Sequence, residues 1–514
     1  MRIRNLLMLC LATLSPLAAN AVDLPDLVQA GEHAAALAAI RSGADVNAAQ
    51  PDGTSALMWA VYRLDHEVAQ ALLDRHANPN ARNSLGSVPL CEAVAVGDEK
   101  LVGMLLKAGA NPNIGNSDEQ TPLMIAARNG SLPLVQALVK AGARVNEREQ
   151  YRGQTALMWA VASSSVDVVE FLLRHKAEVD ARATINDWGN QITSEPRAQY
   201  RPAGGLTALL YATRSGCLEC AKLLLKAGAD LNRPTPEGVT PLMNAIDNNN
   251  YEIANLLLDL GANPHISDWW GRTALYLAAD MRTRGTARGA PAEFRSAEGA
   301  APRRPQPAAL QLAQRLLALH VDPNTQLNMH RPFRGRFADD LMTTGCSPLL
   351  RAALSVDLEM MELLLKNGAL PDLPNVMGVT PLMAAAGVGA TRGAVVGQGP
   401  IAGSDPEANA VSAITLLLKA GADVNARITD TSSHTAVIAR PSSMTDRQGQ
   451  TALYGAIGQN WTKVAQLLID NGARLDVKDA AGKTPQDALA AKAGGRDTPS
   501  NEQMATLIRS AGGG

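Results

Sequence analysis

"TPLMIAARNGSLPLVQALVKAGARVN", residues 121–146, holds the key to the chain. Thr121 is a good helix N-cap, and Pro122 suits the first helical position, where its missing N–H costs nothing. Ala126 and Ala127 are small and allow a first helix to sit close to its neighbours. Gly130 ends that helix. "LPLVQALVKA" then spaces Leu and Val as one apolar face of a second helix. Gly142 is placed to cap it in a left-handed conformation. "ARVNEREQYRG" leads as an extended finger into the next Thr.

The same unit recurs. Its starting positions fall at Ser55, Val88, Thr121, Thr155, Thr207, Thr240, Thr273, Ser347, Thr380, Thr451 and Thr484. The steps between them are 33, 33, 34, 52, 33, 33, 74, 33, 71 and 33 residues. A period of 33 headed by T-P-L resembles the ankyrin repeat, and the resemblance covers nearly all of residues 24 to 512. It implies an all-α solenoid of helix-turn-helix units joined by finger hairpins, with about eleven repeats and an N-terminal cap. One repeat cannot bury its apolar face alone; stacked repeats bury a continuous core. At about 10 Å per helical layer such a stack is expected to form an arc of about 100 Å. "LPDLVQAGEHAAALAAIRSGADVN" (24–47) and the segment from Thr484 depart from the consensus and are expected to be end caps.

The long steps mark insertions near 183–204, 282–306, 325–344, 389–408 and 428–448. All are rich in Gly, Pro, Ser, Thr or Arg without helical period, so they are expected to be surface loops. Composition agrees with thin stacked layers rather than one large core: 46% of the 514 residues are hydrophobic but only 3% aromatic. A net charge of −2 points to neither nucleic acid nor membrane.

Residues 1–21 read as a secretory signal peptide. Arg2 and Arg4 precede an apolar run from Leu6 to Leu17, and Ala19 and Ala21 frame a cleavage site before Val22. The run is too short to span a bilayer. Leu9 before Cys10 argues against a lipoprotein cysteine. The mature domain, 22–514, is therefore expected to be exported and soluble, with a bacterial periplasm as its setting.

Candidate chemistry is sparse. The eight His residues form no HExxH or paired-ligand spacing, so no metal site is expected, nor any cofactor. His76 and His320 stand where other repeats place the capping Gly. "SGCLECAK" puts Cys217 and Cys220 three apart at the start of an outer helix. No His follows for haem attachment, and no thioredoxin-like strand precedes; a local disulfide is possible. The Gly-rich "GVGATRGAVVGQGP" from Gly387 lacks the strand and the Lys of a phosphate loop. The sequon at Asn460 falls at a helix start. The His of T-P-L-H is absent throughout: Met58, Met124, Met158, Met243 and Met383 replace it in five repeats, and Tyr276 and Tyr454 in two. Packing between repeats is the expected role of these Met side chains.

In ankyrin proteins the finger tips and the exposed inner-helix surface bind partners. Here "SDWWGRT" places Trp269 and Trp270 in one finger, and "RPFRGRF" places Arg331, Phe333, Arg334, Arg336 and Phe337 in the following one. Trp and Arg are enriched in binding hot spots. The insertion from Arg282 to Pro305 carries six Arg and two Glu. The two fingers, with Trp269, Trp270, Arg331, Phe333, Arg334, Arg336 and Phe337, are expected to form a partner-binding site on a non-enzymatic, monomeric interaction module, and the basic insertion to emerge on the edge away from them. The rival expectation is a ligand-binding or catalytic protein whose site is built by the insertions at 282–344, recognisable by a pocket of convergent polar groups there.

Overall fold

In the computed structural model the described residues are 23–186, 203–283, 306–328, 344–388, 405–429, 447–493 and 499–512. They form twenty-four α-helices and one two-stranded antiparallel sheet, in two compact units, Met1–Glu178 and Val179–Gly514. The helices come in twelve pairs, one for the N-terminal cap and one for each of the eleven aligned starts.

The first unit holds five pairs, from Leu24–Ala30 with His33–Arg41 to Ala156–Ala162 with Val166–Arg174. Within the pair Pro122–Asn129 and Leu132–Lys140, Thr121 Oγ1 accepts the Met124 N–H at 3.4 Å, and Ser131 Oγ accepts the Leu134 N–H at 3.5 Å. Gly130 closes the first helix at φ 72°, and Gly142 follows the second at φ 93°. His76 and His320 take the same left-handed turn, at φ 63° and 59°, so they are helix-end residues as aligned. Ala126, Ala127, Val135 and Leu138 are fully buried.

The substitute for the missing His has a simple logic. Met58, Met124, Met158, Met243, Met383, Tyr276 and Tyr454 are all buried. For Met58, Met124, Met158, Met243, Met383 and Tyr276 the backbone N–H is taken by the capping Ser or Thr of the same repeat. The buried Met side chains add polarizable apolar volume to the core.

Adjacent repeats are also tied at their edges. Asn47 Oδ1 accepts the Asn78 N–H, Asn80 Oδ1 that of Asn111, and Asn113 Oδ1 that of Arg144, at 2.7, 2.7 and 2.8 Å. The fingers bond side by side, as Ser84 N–H to Asp52 O at 2.7 Å.

The second unit holds seven pairs, from Ala208–Ser215 with Leu218–Lys226 to Pro485–Ala493 with Pro499–Gly512. Ile185–Asn186 pairs with Ala203–Gly204 at the two ends of the first expected insertion. Two insertion boundaries shift. Ala274–Thr283 carries its helix into the segment expected to begin at 282, and Pro406–Lys419 starts its helix inside the one expected to end at 408. Both helices find extra burial or a cap there: Arg282 and Thr283 are buried, and Asp405 Oδ1 accepts the Glu407 N–H at 3.0 Å. The expected signal peptide and most of each insertion lie outside the described residues.

Candidate interaction surfaces and a buried charge cluster

The finger containing the tryptophan pair is held by Asp268. Its Oδ1 accepts the Trp270 and Arg272 N–H groups at 3.0 and 2.9 Å, and its Oδ2 accepts Arg272 Nε at 2.7 Å. Burial pushes the Asp268 carboxyl up, against the pull of Arg272. The turn aims successive side chains in opposite directions. Trp269 is 44% exposed, whereas Trp270 is 5% exposed with the Arg272 guanidinium 5.1 Å from its ring centroid. The expectation that Trp270 is a binding residue is therefore corrected: its ring covers the buried Asp268–Arg272 pair and offers no face to a partner. Arg331, Phe333, Arg334, Arg336 and Phe337 lie outside the described residues. The flank of their finger is described, and there Asn328 N–H donates to Trp270 O at 2.9 Å.

The same turn presents three residues that sequence reading missed. Asn83 Oδ1 accepts the Leu85 and Ser87 N–H groups, and Leu85 is 74% exposed. Glu149 accepts from Tyr151, Arg152 and Gln154, and Tyr151 is 67% exposed. Asn375 accepts from Met377 and Val379, and Val376, between Asn375 and Met377, is 40% exposed. The available signal was an Asn, Asp or Glu followed within two positions by an apolar residue, and then by Gly.

Inner helices place aromatic rings in each unit, exposed at Tyr62 in the first and buried at Tyr211 in the second. In the first, Trp59 and Tyr62 meet edge to face at 5.8 Å, Trp59 Nε1 donates to Gln50 Oε1, and Arg128 lies 5.5 Å from the Trp159 ring centroid. In the second, Arg214 lies 5.7 Å from that of Tyr211. Arg–aromatic stacking of this kind keeps guanidinium donors oriented at a surface.

The second unit also buries a group of charges. Arg282 Nε donates to Asp357 Oδ2 at 2.7 Å and Nη1 to Gln306 O at 3.2 Å, while Nη2 pairs with Glu359. Arg351 Nε donates to Asp280 Oδ1 at 2.5 Å and Nη2 to Thr283 Oγ1 at 3.2 Å. Arg282, Arg351, Asp280 and Asp357 are all buried. Burial pushes the Asp357 carboxyl up, opposed by the Arg282 charge. Two donors in the group, Arg351 Nη1 and Gln306 Nε2, are buried without a hydrogen-bond partner. An orphan donor of this kind costs about 1–3 kcal/mol unless water or a ligand oxygen meets it. Arg282, read from sequence as the start of a solvated basic insertion, is instead an interior cation.

The remaining polar features are structural in placement. Cys217 and Cys220 are joined in a disulfide with Cα atoms 5.2 Å apart, and Cys91 and Cys346 are buried thiols. Burial pushes the Cys91 thiol up to about 12. Among the described residues no three His, Cys, Asp or Glu side chains cluster as metal ligands, and no helix is long and apolar enough to cross a membrane.

Comparison with known proteins agrees with this architecture. A family model described as ankyrin repeats (3 copies) matches residues 27–116, 90–183 and 191–268. An ankyrin repeat protein of Acanthamoeba polyphaga mimivirus is 33% identical over 119 residues, 22% of this chain and 71% of its own length. The chain belongs to the ankyrin repeat family. The mouse B-cell lymphoma 3 protein homolog is 41% identical over 76 residues, and human protein phosphatase 1 regulatory subunit 27 is 48% identical over 59. These matches span 15% and 12% of this chain, but only 17% and 38% of the two relatives. The crystal structure of the human ASB11 ankyrin repeat domain aligns with a TM-score of 0.38 at 24% identity, over 47% of this chain and 98% of that one.

Proposed function

We propose that this chain is an exported, non-enzymatic interaction module that holds a protein partner through its finger tips and acts as a monomer. The observation that carries the reading is the repeated turn that projects Leu85, Tyr151, Trp269 and Val376 into solvent. Large apolar side chains presented on rigid backbone lose little entropy on binding, which suits them as anchors. The relatives add support by name: one is a regulatory subunit of a phosphatase. Export rests on the N-terminal pattern of residues 1–21, and a mature chain beginning at Val22 is its expected signature.

The test is affinity capture from the exported fraction with two baits, the native chain and a Leu85→Ser, Tyr151→Ser, Trp269→Ser variant. A partner enriched by the first and lost by the folded second supports the reading. A partner retained equally by both overturns the finger-tip assignment.

A second reading draws on the buried charges. Convergent polar groups with two unfilled donors at Arg351 and Gln306 are what a ligand site flanked by the insertions would show. It predicts that Arg351→Lys changes small-molecule binding and leaves capture of the protein partner intact.

A further inference from the structure

We infer that Cys217 and Cys220 form a reversible dithiol–disulfide site, open to exchange with a dithiol reductant while the repeat around it stays folded. The argument begins with what stands at this position elsewhere. Asp65, Asp98, Ser131 and Asp357 are the N-caps of their outer helices, and each accepts the N–H three residues on, from Val68, Leu101, Leu134 and Met360. In helix Leu218–Lys226 the cap is Cys217, and its Sγ accepts the Cys220 N–H at 3.2 Å. Sulfur occupies the place of an oxygen acceptor. That role does not need the S–S bond: a Cys217 thiol can remain the acceptor at the same helix start.

The bond is also dispensable to the stack. It closes only the four residues 217–220, and the constraint a disulfide puts on the unfolded chain shrinks with the loop it closes. Helix Leu218–Lys226 is held independently by the buried Cys220, Ala221 and Leu224. A Cys at 220 is a small apolar filler whether or not it is bonded. Both redox states therefore satisfy the same cap and the same core.

Access is one-sided. Cys220 is fully buried, whereas Cys217 keeps 8% of its surface and follows Gly216, an exposed residue at φ 79°. Exchange begins at Cys217 Sγ. The reductant thiolate bonds to that sulfur, and the Cys217–Cys220 bond breaks with its electron pair leaving on Cys220. The second thiol of the reductant then displaces Cys217 from the mixed disulfide. Overall, two electrons and two protons pass to the pair, giving two thiols, and the dithiol closes to its own disulfide. The pair is the substrate of this exchange; the repeat offers no catalytic machinery for it.

The experiment uses the full mature chain in native buffer. Dithiothreitol is added, the reaction is quenched with acid, free thiols are alkylated, and the labels are placed by mass spectrometry. Cys217 and Cys220 are expected to take label while the buried Cys91 and Cys346 do not. Glutathione disulfide should restore the unlabelled pair. Reduction should leave helical circular dichroism unchanged and lower the melting midpoint by less than about 5 °C. A Cys217→Asp, Cys220→Ala variant, which installs the cap found at 65, 98 and 357, should fold with the same spectrum. The inference is overturned if the pair resists reduction until denaturant is added. Label reaching Cys91 or Cys346 on reduction would also overturn it, as would a pair that stays as free thiols after glutathione disulfide.

Discussion

Arg282 Nε and Asp357 Oδ2 meet at 2.7 Å, seventy-five positions apart in the chain and both buried. Arg282 stands in the last turn of the inner helix Ala274–Thr283 and Asp357 caps the outer helix Leu358–Lys366 of the next repeat, so the pair ties successive layers on either side of the longest step in the period. Coulomb attraction at this depth is offset by the cost of removing both ions from water, so the pair is not by itself a large source of stability. Stranding one member is a different matter.

Arg282→Met is therefore expected to destabilise the second unit by about 3–5 kcal/mol, because it leaves a buried carboxylate uncompensated. Adding Asp357→Asn should recover most of that loss. Asn keeps the acceptor that caps Met360 N–H and removes the stranded charge. Urea unfolding of the two variants checks this; a double variant as unstable as the single one would mean the loss comes from packing.

The two tryptophans should separate cleanly. Trp269→Ser is expected to change stability by no more than about 0.5 kcal/mol and to weaken partner binding by about 2 kcal/mol. Trp270→Ala should cost about 3–5 kcal/mol of stability, since it opens a cavity over the buried Asp268–Arg272 pair. Thermal melts and titration of the captured partner give both readings. Equal melting losses for the two variants would refute the division.

A pH optimum is expected for the first helices. His33 Nδ1 bonds Asp65 Oδ2 at 2.7 Å, and His66 Nε2 bonds Asp98 Oδ2 at 2.8 Å. The Asp65 hydrogen bond and charge raise the His33 value above 6.5. Burial pushes Asp65 up, but bonds from His33 and the Val68 N–H outweigh it and leave the carboxyl below 3.8. Burial likewise pushes Asp98 up, and bonds from the Leu101 N–H and His66 bring it below 3.8. The His33 contribution is whole below pH 6.5 and is lost as pH rises through its raised folded value. The Asp contributions are whole above pH 3.8 and are lost as pH falls through their lowered values. Hydrogen-exchange protection of helices His33–Arg41 and His66–Asp74 should thus be greatest between these limits. His33→Gln should remove the decline on the alkaline side and weaken the part of the acid-side decline that comes from Asp65, leaving the part from Asp98.

The fold was legible because it is written eleven times. Cap, small pair, Gly and apolar run repeat at one period, so an error at one copy is corrected by the next. The alternation of an extended finger made it legible that one of Trp269 and Trp270 is exposed, but not which one. Leu85, Tyr151 and Val376 were not, because their exposure follows from side-chain acceptors at Asn83, Glu149 and Asn375 that fix each turn. The charge cluster was hidden for another reason. Arg282 and Asp280 meet Asp357 and Arg351 only across more than seventy residues, and no local pattern marks such partners.

Val88 is the one aligned start that cannot act as a cap, and it permits a test of the repeat logic itself. The helix Pro89–Val96 begins with Val88 in extended conformation and no side-chain bond to its first turn. At the equivalent positions Thr121 and Thr155 are buried and accept from Met124 and Met158 at 3.4 Å. Val88→Thr keeps the branched shape and adds a hydroxyl where the Cys91 N–H is the equivalent donor. The buried hydroxyl should therefore be satisfied on arrival, so its desolvation is offset. A gain of about 0.5–1 kcal/mol is expected, the lower half of the range for a cap. The reverse change, Thr121→Val, should cost about as much. Denaturant melts of both variants against the native chain decide it. A loss at Val88→Thr would show that this repeat buries position 88 too tightly for the shared cap to form.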